Sequence, residues 1–459
     1  MSIAIQGIEA NAETIWDVAH KMWCNPETAF QEVKAAEWNA RLMEDLGFKV
    51  DREYVGIKTC IRAVWGTGKP VIGFLGELDA LPGLSQKAQT KKEPVAEGAP
   101  GHGCGHNLLA GACIGGAIGL KTYLEKTHRE GTVVYYGCPA EEIIAGKVFM
   151  AKYGAFDYLD AVLSYHPGSE NRIAKGTYSG MNSAVFHFHG KTAHAGADPQ
   201  NGRSALDAVE LMDVGANYLR EHINMTERIH YVIKDGGTAP NVVPDKASVW
   251  YYNRAQTRED VVSTYDRIVD IARGAALMTG TTFDIEFLAG CYPTMHNNVM
   301  SEIAYQKMID IGVPEYTKEE LEFADELNRQ SANYEKLMAN GTLTSPIADH
   351  VDPMVSVNVY GSTDLADVEA ICPGIMVRTA AYNFAAPSHS WQIAACAGTS
   401  IGKKGMLYGA KVMAETAIEM IEHPELLEKA KEEHRKATGG KPYVCPIPDG
   451  VSVPQPTKD

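Results

Sequence analysis

The sequence has no excess of positive charge and no long apolar run, and each absence excludes a class of protein. Its 459 residues include 42 lysines and arginines against 58 acidic residues, which gives a net charge of −16. Nucleic-acid binding needs basic surface stripes, so this balance argues against a nucleic-acid partner. No stretch approaches the ~20 apolar residues that a membrane-spanning helix requires. We therefore predict that neither nucleic acid nor a membrane is a partner.

Paired cysteines and a leader segment are also missing. The nine cysteines are odd in number and scattered, so they predict no disulfide framework and favour a reducing compartment. Residues 1–12 have neither the basic region nor the apolar core of a secretory signal. These features predict a cytoplasmic protein.

Two common catalytic motifs are absent as well. No Gly-x-Ser-x-Gly turn follows a predicted strand, which argues against a serine hydrolase of the α/β type. No glycine-rich loop lies between a strand and a helix in the pattern that binds nucleotide phosphates. The chemistry of this chain must therefore come from other residues.

The pattern of apolar segments predicts two domains, because 459 residues exceed what one hydrophobic core usually holds. Strands and helices alternate in 1–179 and 296–459, which predicts an α/β catalytic domain with an open mixed sheet flanked by helices. Residues 180–295 show period-2 strands with two long helices, which predicts an inserted α+β domain free to self-associate through its outer face or edge.

Within these domains the apolar spacing predicts individual elements. The segments 71–78, 131–138 and 161–165 are apolar enough for buried strands, and each is followed by polar side chains that could bind a ligand. We also predict a strand over 355–359 and helices over 8–23, 27–46 and 318–340.

The loop 101–107 is the densest group of potential metal ligands. Cys104 and His106 are separated by one glycine, which lets the backbone turn sharply and direct both side chains to one point. A thiolate and an imidazole together suit zinc, or manganese or cobalt if carboxylates complete the site.

Further ligand-type side chains follow the other apolar strands and a later turn. They are Asp79, the adjacent pair Glu141 and Glu142, His166 and His389. Glu142, His166 and His389 from this set, together with Cys104 and His106 of the glycine loop, make five potential ligands. Five ligands suit two ions that share a bridging water. Glu141 could then take a proton from that water and pass it to a leaving amine, while Asp79 could orient a histidine ligand.

These motifs together resemble a known family. Segments 77–82, 104–106, 139–142 and 165–167, with His389, are similar to the aminoacylase/amidohydrolase branch of the co-catalytic metallopeptidases. The resemblance implies a zinc-peptidase-like catalytic domain with two divalent ions per subunit, zinc or manganese, and an inserted dimerisation domain. It also implies the five metal ligands above, Glu141 as general base and Asp79 as the orienting carboxylate.

The resemblance extends into the inserted domain. There His194 matches a histidine that approaches the substrate when the domains close, and Asn241 matches an asparagine that contacts it. In relatives the matching histidine can reach the site of the neighbouring subunit. The resemblance therefore implies a homodimer, or a hetero-oligomer with a related subunit.

The resemblance implies hydrolysis of an N-acyl or N-aroyl amino acid. Segments 388–392, 404–407 and 445–448 resemble a narrower branch of the family, and this likeness implies p-aminobenzoyl-glutamate as the substrate. A dipeptidase, an indole-acetyl-aspartate hydrolase and a non-catalytic partner subunit are the alternatives. Two positions depart from the family pattern: Glu77 stands where many relatives have a ligating histidine, and Asn107 where many have aspartate. These departures leave the metal and its occupancy open.

Overall fold

A computed structural model describes residues 1–457 of the chain. Its strands are β1 Lys49–Arg52, β2 Ile61–Thr67, β3 Val71–Glu77, β4 Gly131–Cys138, β5 Ala161–Gly168, β6 Arg172–Ile173, β7 Gly180–His189, β8 Arg228–Asp235, β9 Lys246–Ala255, β10 Thr282–Cys291 and β11 Gly374–Ala380. Its first seven helices are α1 Ile3–Ala10, α2 Ala12–Cys24, α3 Val33–Asp45, α4 His106–Thr127, α5 Gly146–Lys152, α6 Ala205–Leu219 and α7 Arg258–Thr279. The others are α8 Asn298–Ile311, α9 Lys318–Arg329, α10 Tyr334–Ala339, α11 Leu365–Glu369, α12 Trp391–Ala397, α13 Ser400–Glu422 and α14 Pro424–Ala437.

Seven strands form the larger sheet in the order β1-β2-β4-β3-β5-β11-β6. Strand β3 lies between β4 and β5 and pairs with both in parallel, and β11 continues this parallel set beyond β5. Because parallel strands end at the same edge, the loops after β3, β4 and β5 meet there. The predicted open mixed sheet is confirmed.

Helices cover both faces of this sheet. Alternate side chains of β4 enter different cores: Tyr135 packs in the core with α4 and α13, and Tyr136 packs in the core with α5. This explains the nearly continuous apolar runs, since a strand that is covered on both faces needs apolar residues at every position.

The second sheet has four strands in the order β10-β7-β9-β8, all antiparallel. Helices α6 and α7 cover one face and share its core with Phe186, Phe188 and Tyr251. Many side chains on the other face are partly or fully exposed, which explains the alternation of apolar and polar residues. Strand β8 forms a free edge.

Several local predictions were wrong. The segment 355–359 is not a strand, and the strand of this region is β11, which the apolar pattern did not predict. The predicted helix 8–23 is two helices that meet at Asn11, and the helix predicted from 27 begins only at Val33. The predicted helix 318–340 is likewise divided into α9 and α10. In residues 1–457, no helix combines the length and the apolar character needed to cross a bilayer.

Candidate metal centre

Asp79 and His106 form the innermost pair of the candidate site. Asp79 follows β3 and His106 begins α4, and both are fully buried. The Nδ1 atom of His106 lies 3.0 Å from one carboxylate oxygen of Asp79, and the other oxygen accepts the backbone N–H of Glu142 at 2.9 Å. A histidine held through Nδ1 presents Nε2 as a ligand atom, so Asp79 is placed to orient His106.

The glycine between the two loop ligands has a steric role. Gly105 adopts a φ of 83°, in the left-handed region, and a Cβ atom there would lie 2.7 Å from the ring of Pro167. Only glycine can adopt this φ without strain and also leave room for the ring of Pro167. The turn therefore positions Cys104 beside His166, whose Nε2 atom is 3.4 Å from the sulfur.

The loop after β4 carries Glu141 and Glu142 between two residues in unusual conformations. Ala140 and Ile144 both have a φ of 55°, which side chains with a Cβ rarely adopt. Such a backbone conformation costs about 1–3 kcal/mol per residue and persists where the surrounding structure enforces it. It turns both carboxylates toward His106: Glu141 and Glu142 approach its Nε2 atom to 3.8 and 3.7 Å.

His389 is the outermost candidate ligand, with 55% of its side chain exposed. Its φ of 51° is also left-handed, and its Nε2 atom lies 3.5 Å from a carboxylate oxygen of Glu142. Two groups of possible ligands share Cys104: one adds His106 and His166, and the other adds Glu142 and His389. Within each group the ligand atoms lie within 4.8 Å of one another.

The chemistry of these donors fits divalent cations. The Nε2 atom of His106 and carboxylate oxygens of Glu77 and Glu142 are buried and have no hydrogen-bond partner in the described chain. Such polar atoms are costly to bury unless something pairs with them. Burial raises the pKa of Cys104 to about 12 and that of Glu142 to about 7, with contributions from neighbouring acidic groups. A bound cation would reverse both shifts, because it stabilises the ionised ligands.

The histidines His106 and His166 respond differently to their surroundings. Burial opposes the charging of His106, but Cys104, Glu77 and Asp79 outweigh it and hold the pKa well above its usual value. Burial, together with Arg378 and His106, holds the pKa of His166 well below its usual value. The neutral form of His166 is the form that binds metals.

A cavity of about 520 Å³ opens over these ligands. Its wall includes Arg254, which donates to the hydroxyl of Ser362 at 2.7 Å, and Arg378, which donates to the hydroxyl of Tyr178 at 3.1 Å. Within residues 1–457, neither arginine forms an ion pair with a carboxylate. Both guanidinium groups can therefore bind an anion that enters the cavity.

The sequence did not predict the two cavity arginines, Arg254 and Arg378, or the buried group in which Lys147 forms ion pairs with Glu77 and Asp364. The resemblance marks Glu77 only as a departure from a ligating histidine, and Arg378 lies on β11, which the apolar pattern does not predict. A weak signal existed for Lys147, which is the one charge in the apolar run that begins α5. Asn107, by contrast, is buried away from the cavity and donates to the backbone of Ala19 and Ala397.

The two candidates in the inserted region lie elsewhere. His194 and Asn241 do not line the cavity in the described chain. The ring of His194 accepts the backbone N–H groups of Gly196 and Ala197, and its backbone bridges to Val242. His194 and Asn241 are therefore neighbours in one loop cluster, and their roles stay predictions.

A family model matches the inserted region, and known proteins match nearly the whole chain. The family model of the Peptidase dimerisation domain matches residues 178–277. The chain is 39% identical to the B subunit of p-aminobenzoyl-glutamate hydrolase from Escherichia coli K12, with 98% of each chain covered. It is 30% identical to Xaa-Arg dipeptidase of Mus musculus, with 94% of this chain and 91% of the relative covered.

The chain belongs to the M20 family. It is a metal-dependent amidohydrolase of that family and resembles the B subunit of p-aminobenzoyl-glutamate hydrolase. Solved structures share its fold, among them an aminobenzoyl-glutamate utilization protein of Klebsiella pneumoniae, at 15% identity, a TM-score of 0.62 and 90% and 97% coverage of the two chains. A dinuclear metal-binding M20 peptidase of Bacillus subtilis has a TM-score of 0.60, at 17% identity and 90% and 99% coverage.

Proposed function

We propose that this M20 amidohydrolase cleaves the amide bond of an N-aroyl glutamate, with p-aminobenzoyl-glutamate as the substrate. The observation that carries the proposal is the pair of arginines, Arg254 and Arg378, which face the candidate metal centre without a carboxylate partner. In a chain with a net charge of −16, such a pair favours an acidic group in the substrate. The glutamate half would supply two carboxylates.

The same pair argues against the dipeptidase alternative. A substrate that releases arginine would place its guanidinium group beside Arg254 and Arg378, and like charges in one cleft are strongly unfavourable. The E. coli relative acts, by its name, on p-aminobenzoyl-glutamate, and the mouse relative on Xaa-Arg dipeptides. The charge of the cavity favours the first.

The metal ligands and the base are part of the proposal. Two divalent cations, zinc or manganese, would be held by Cys104, His106, Glu142, His166 and His389; when bound, such ions polarise a carbonyl and lower the pKa of water. Glu141 would accept the proton of the attacking water and deliver it to the leaving amine nitrogen. Asp79 fixes His106, and His194 and Asn241 would contact the substrate once the inserted domain closes.

We also propose that the chain divides into a catalytic domain, 1–179 and 296–459, and a dimerisation domain, 180–295. The second sheet begins at Gly180 and ends at Cys291, which supports these limits. Strand β8 leaves a free edge, and Val232 and Ile233 are exposed on it. A homodimer through this surface is the simplest assembly, and a hetero-oligomer with a related subunit is the alternative. A cytoplasmic location stays a prediction.

Hydrolysis assays with matched leaving groups test the function. The purified chain, supplied with manganese or zinc, should have a kcat/KM for p-aminobenzoyl-glutamate at least ~100-fold higher than for p-aminobenzoyl-arginine. Indole-acetyl-aspartate serves as a second acidic substrate. Faster release of arginine would support the dipeptidase instead. Activity that appears only after a related chain is added would identify a partner subunit.

A further inference from the structure

A fully buried lysine lies directly behind the candidate metal centre. The ammonium of Lys147 is 2.7 Å from one carboxylate oxygen of Glu77 and 2.5 Å from an oxygen of Asp364. The backbone N–H of Lys147 donates to the other oxygen of Asp364 at 2.7 Å. All three side chains are at most 3% exposed. Buried charges are costly unless they are paired, so this arrangement fixes Glu77 through one oxygen only.

The second oxygen of Glu77 points to the metal ligands. It lies 3.2 Å from the Nε2 atom of His106, and neither atom has a hydrogen-bond partner in the described chain. His106 is held by Asp79 through Nδ1, which leaves a lone pair on Nε2 in the metal-binding tautomer. Two electron-pair donors at this separation are spaced like two ligands of one cation, since each would lie ~2.1 Å from the ion.

Glu141, the proposed base, lies beside this pair. Glu77, His106 and Glu141 each offer an atom within 4.8 Å of the others. We propose that Glu77 is a further metal ligand in this chain, and that Lys147 is the positioning residue that aims its free oxygen at the ion held by His106. The inference rests on the proposed metal centre and adds a ligand to it.

The consequence is a shift in metal preference. Carboxylate oxygens suit hard ions such as Mn²⁺, whereas thiolate and imidazole ligands suit Zn²⁺. A second carboxylate beside His106 therefore raises the affinity for Mn²⁺ relative to Zn²⁺. Lys147 contributes by holding Glu77 in one geometry, and Asp364 contributes by pairing with the remaining side of the ammonium.

Titration calorimetry on metal-free protein tests the proposal with Mn²⁺ and Zn²⁺ separately. Glu77→Gln keeps the shape and lets the amide oxygen face Lys147, but it removes the charged ligand. We expect Mn²⁺ to bind ~10- to 100-fold more weakly and Zn²⁺ to lose less. Lys147→Met should reproduce this selective loss, and Lys147→Arg should recover part of the Mn²⁺ affinity. Lys307→Met is the matched control. Lys307 forms an ion pair with Glu419 at 2.6 Å, and this pair lies outside the cavity.

Thermal unfolding of the metal-free variants shows whether each one is folded. If Lys147→Met does not fold, Glu77→Gln alone decides the question. Unchanged Mn²⁺ affinity in Glu77→Gln, or equal losses for both metals, would overturn the proposal and leave Glu77 as a structural partner of Lys147. Such a result leaves the proposed hydrolase intact, because the wild-type chain would still bind metal and cleave substrate. A wild-type chain that binds neither ion would overturn the metal centre itself.

Discussion

The two regions of the molecule treat the same residue type in opposite ways. In the large sheet, His106 is fully buried and oriented by Asp79 beside other ligand-type atoms. In the inserted sheet, His187 pairs with Glu286 across the surface at 3.0 Å, with 35% of its side chain exposed. Both histidines have an acidic partner, but only the first has further donors around its free nitrogen. A histidine–carboxylate pair therefore identifies a ligand only when other ligand atoms surround it.

The largest expected effect concerns Glu141, the proposed proton acceptor of the large-sheet region. Glu141→Gln keeps the shape of the side chain but removes the base, so kcat should fall at least ~100-fold. Metal content, measured on the same sample, should stay unchanged. Glu130→Gln, at an exposed loop position, is the control. Retained turnover would mean that another group accepts the proton.

The next effect tests whether the inserted region takes part in chemistry at all. If His194 donates a hydrogen bond to the developing oxyanion, His194→Ala should lower kcat by ~100-fold or more and change KM much less. His189→Ala, at the end of β7 and paired with Asp284, should have little effect. Equal losses in both variants would show a structural effect.

A mixing experiment extends this prediction to the dimer. His194→Ala and Glu141→Gln chains, each inactive alone, should regain activity after subunit exchange if His194 serves the partner's site. Exchange is followed independently by mass spectrometry of tagged chains. Exchange without recovery would place His194 in its own subunit's site.

A smaller effect is expected when the acidic partner of each histidine, His106 and His187, is neutralised in turn. Asp79→Asn should weaken metal binding ~10- to 100-fold, because His106 loses the partner that orients it. Glu286→Gln makes the same change beside His187 and should leave metal binding unchanged. Metal affinity of both variants is measured by calorimetry. If both variants lose metal affinity, or if neither does, the two histidine–acid pairs do not differ in the way proposed here.

The smallest effect concerns the junction of the two regions. Asp367 accepts the hydroxyl of Tyr443 at 2.7 Å and the backbone N–H of Tyr292, next to β10, at 3.2 Å. Burial raises its pKa to about 7, above its value of ~3.9 in the unfolded chain. The folded state therefore binds this proton more tightly, and its stabilising contribution is complete below pH ~4 and lost as pH rises to about 7.

Asp367→Asn removes this dependence. Between pH 5 and pH 8, the Tm of the variant should rise by a few degrees relative to the Tm of the wild type. The ionisation of Asp367 changes the free energy of unfolding by at most about 4 kcal/mol. Differential scanning calorimetry measures the shift. Asp17→Asn, at an exposed position on α2, should show no such trend. The absence of a trend between pH 5 and pH 8 would show that Asp367 is already ionised in the folded protein at pH 5.

Much of the fold could be predicted because its signals are local. The strands β3, β4 and β5 are continuous apolar runs, and the helices α6 and α7 have clear apolar periodicity. Strand β11 was missed because Gly374–Ala380 contains an arginine and follows Pro373, and its place is set by pairing with β5. The break between α1 and α2 was also missed, since Asn11 fits a helix in sequence but ends one here.

The candidate ligands could be predicted from the sequence because they lie at strand ends and in a glycine turn. Their pairing could not: that Asp79 contacts His106, 27 residues away, follows from the adjacency of β3 and α4. The ion pairs of Lys147 span still greater distances, 70 residues to Glu77 and 217 residues to Asp364. No local pattern encodes such contacts, because they depend on which strand ends the folded sheet brings together.

By itself, therefore, the sequence determined the buried strands β3, β4 and β5, the change of pattern in the inserted region and the residue types that could bind metal, since each of these depends on neighbours within a few positions. Tertiary structure alone decided which ligand atoms meet, that Asn107 faces helices α2 and α12, and that Glu77 keeps one free oxygen beside His106. It also decided that Arg254 and Arg378, 124 positions apart, share one cavity. The reason is physical: charge and coordination depend on distances in space, and the order of strands in the sheet sets those distances.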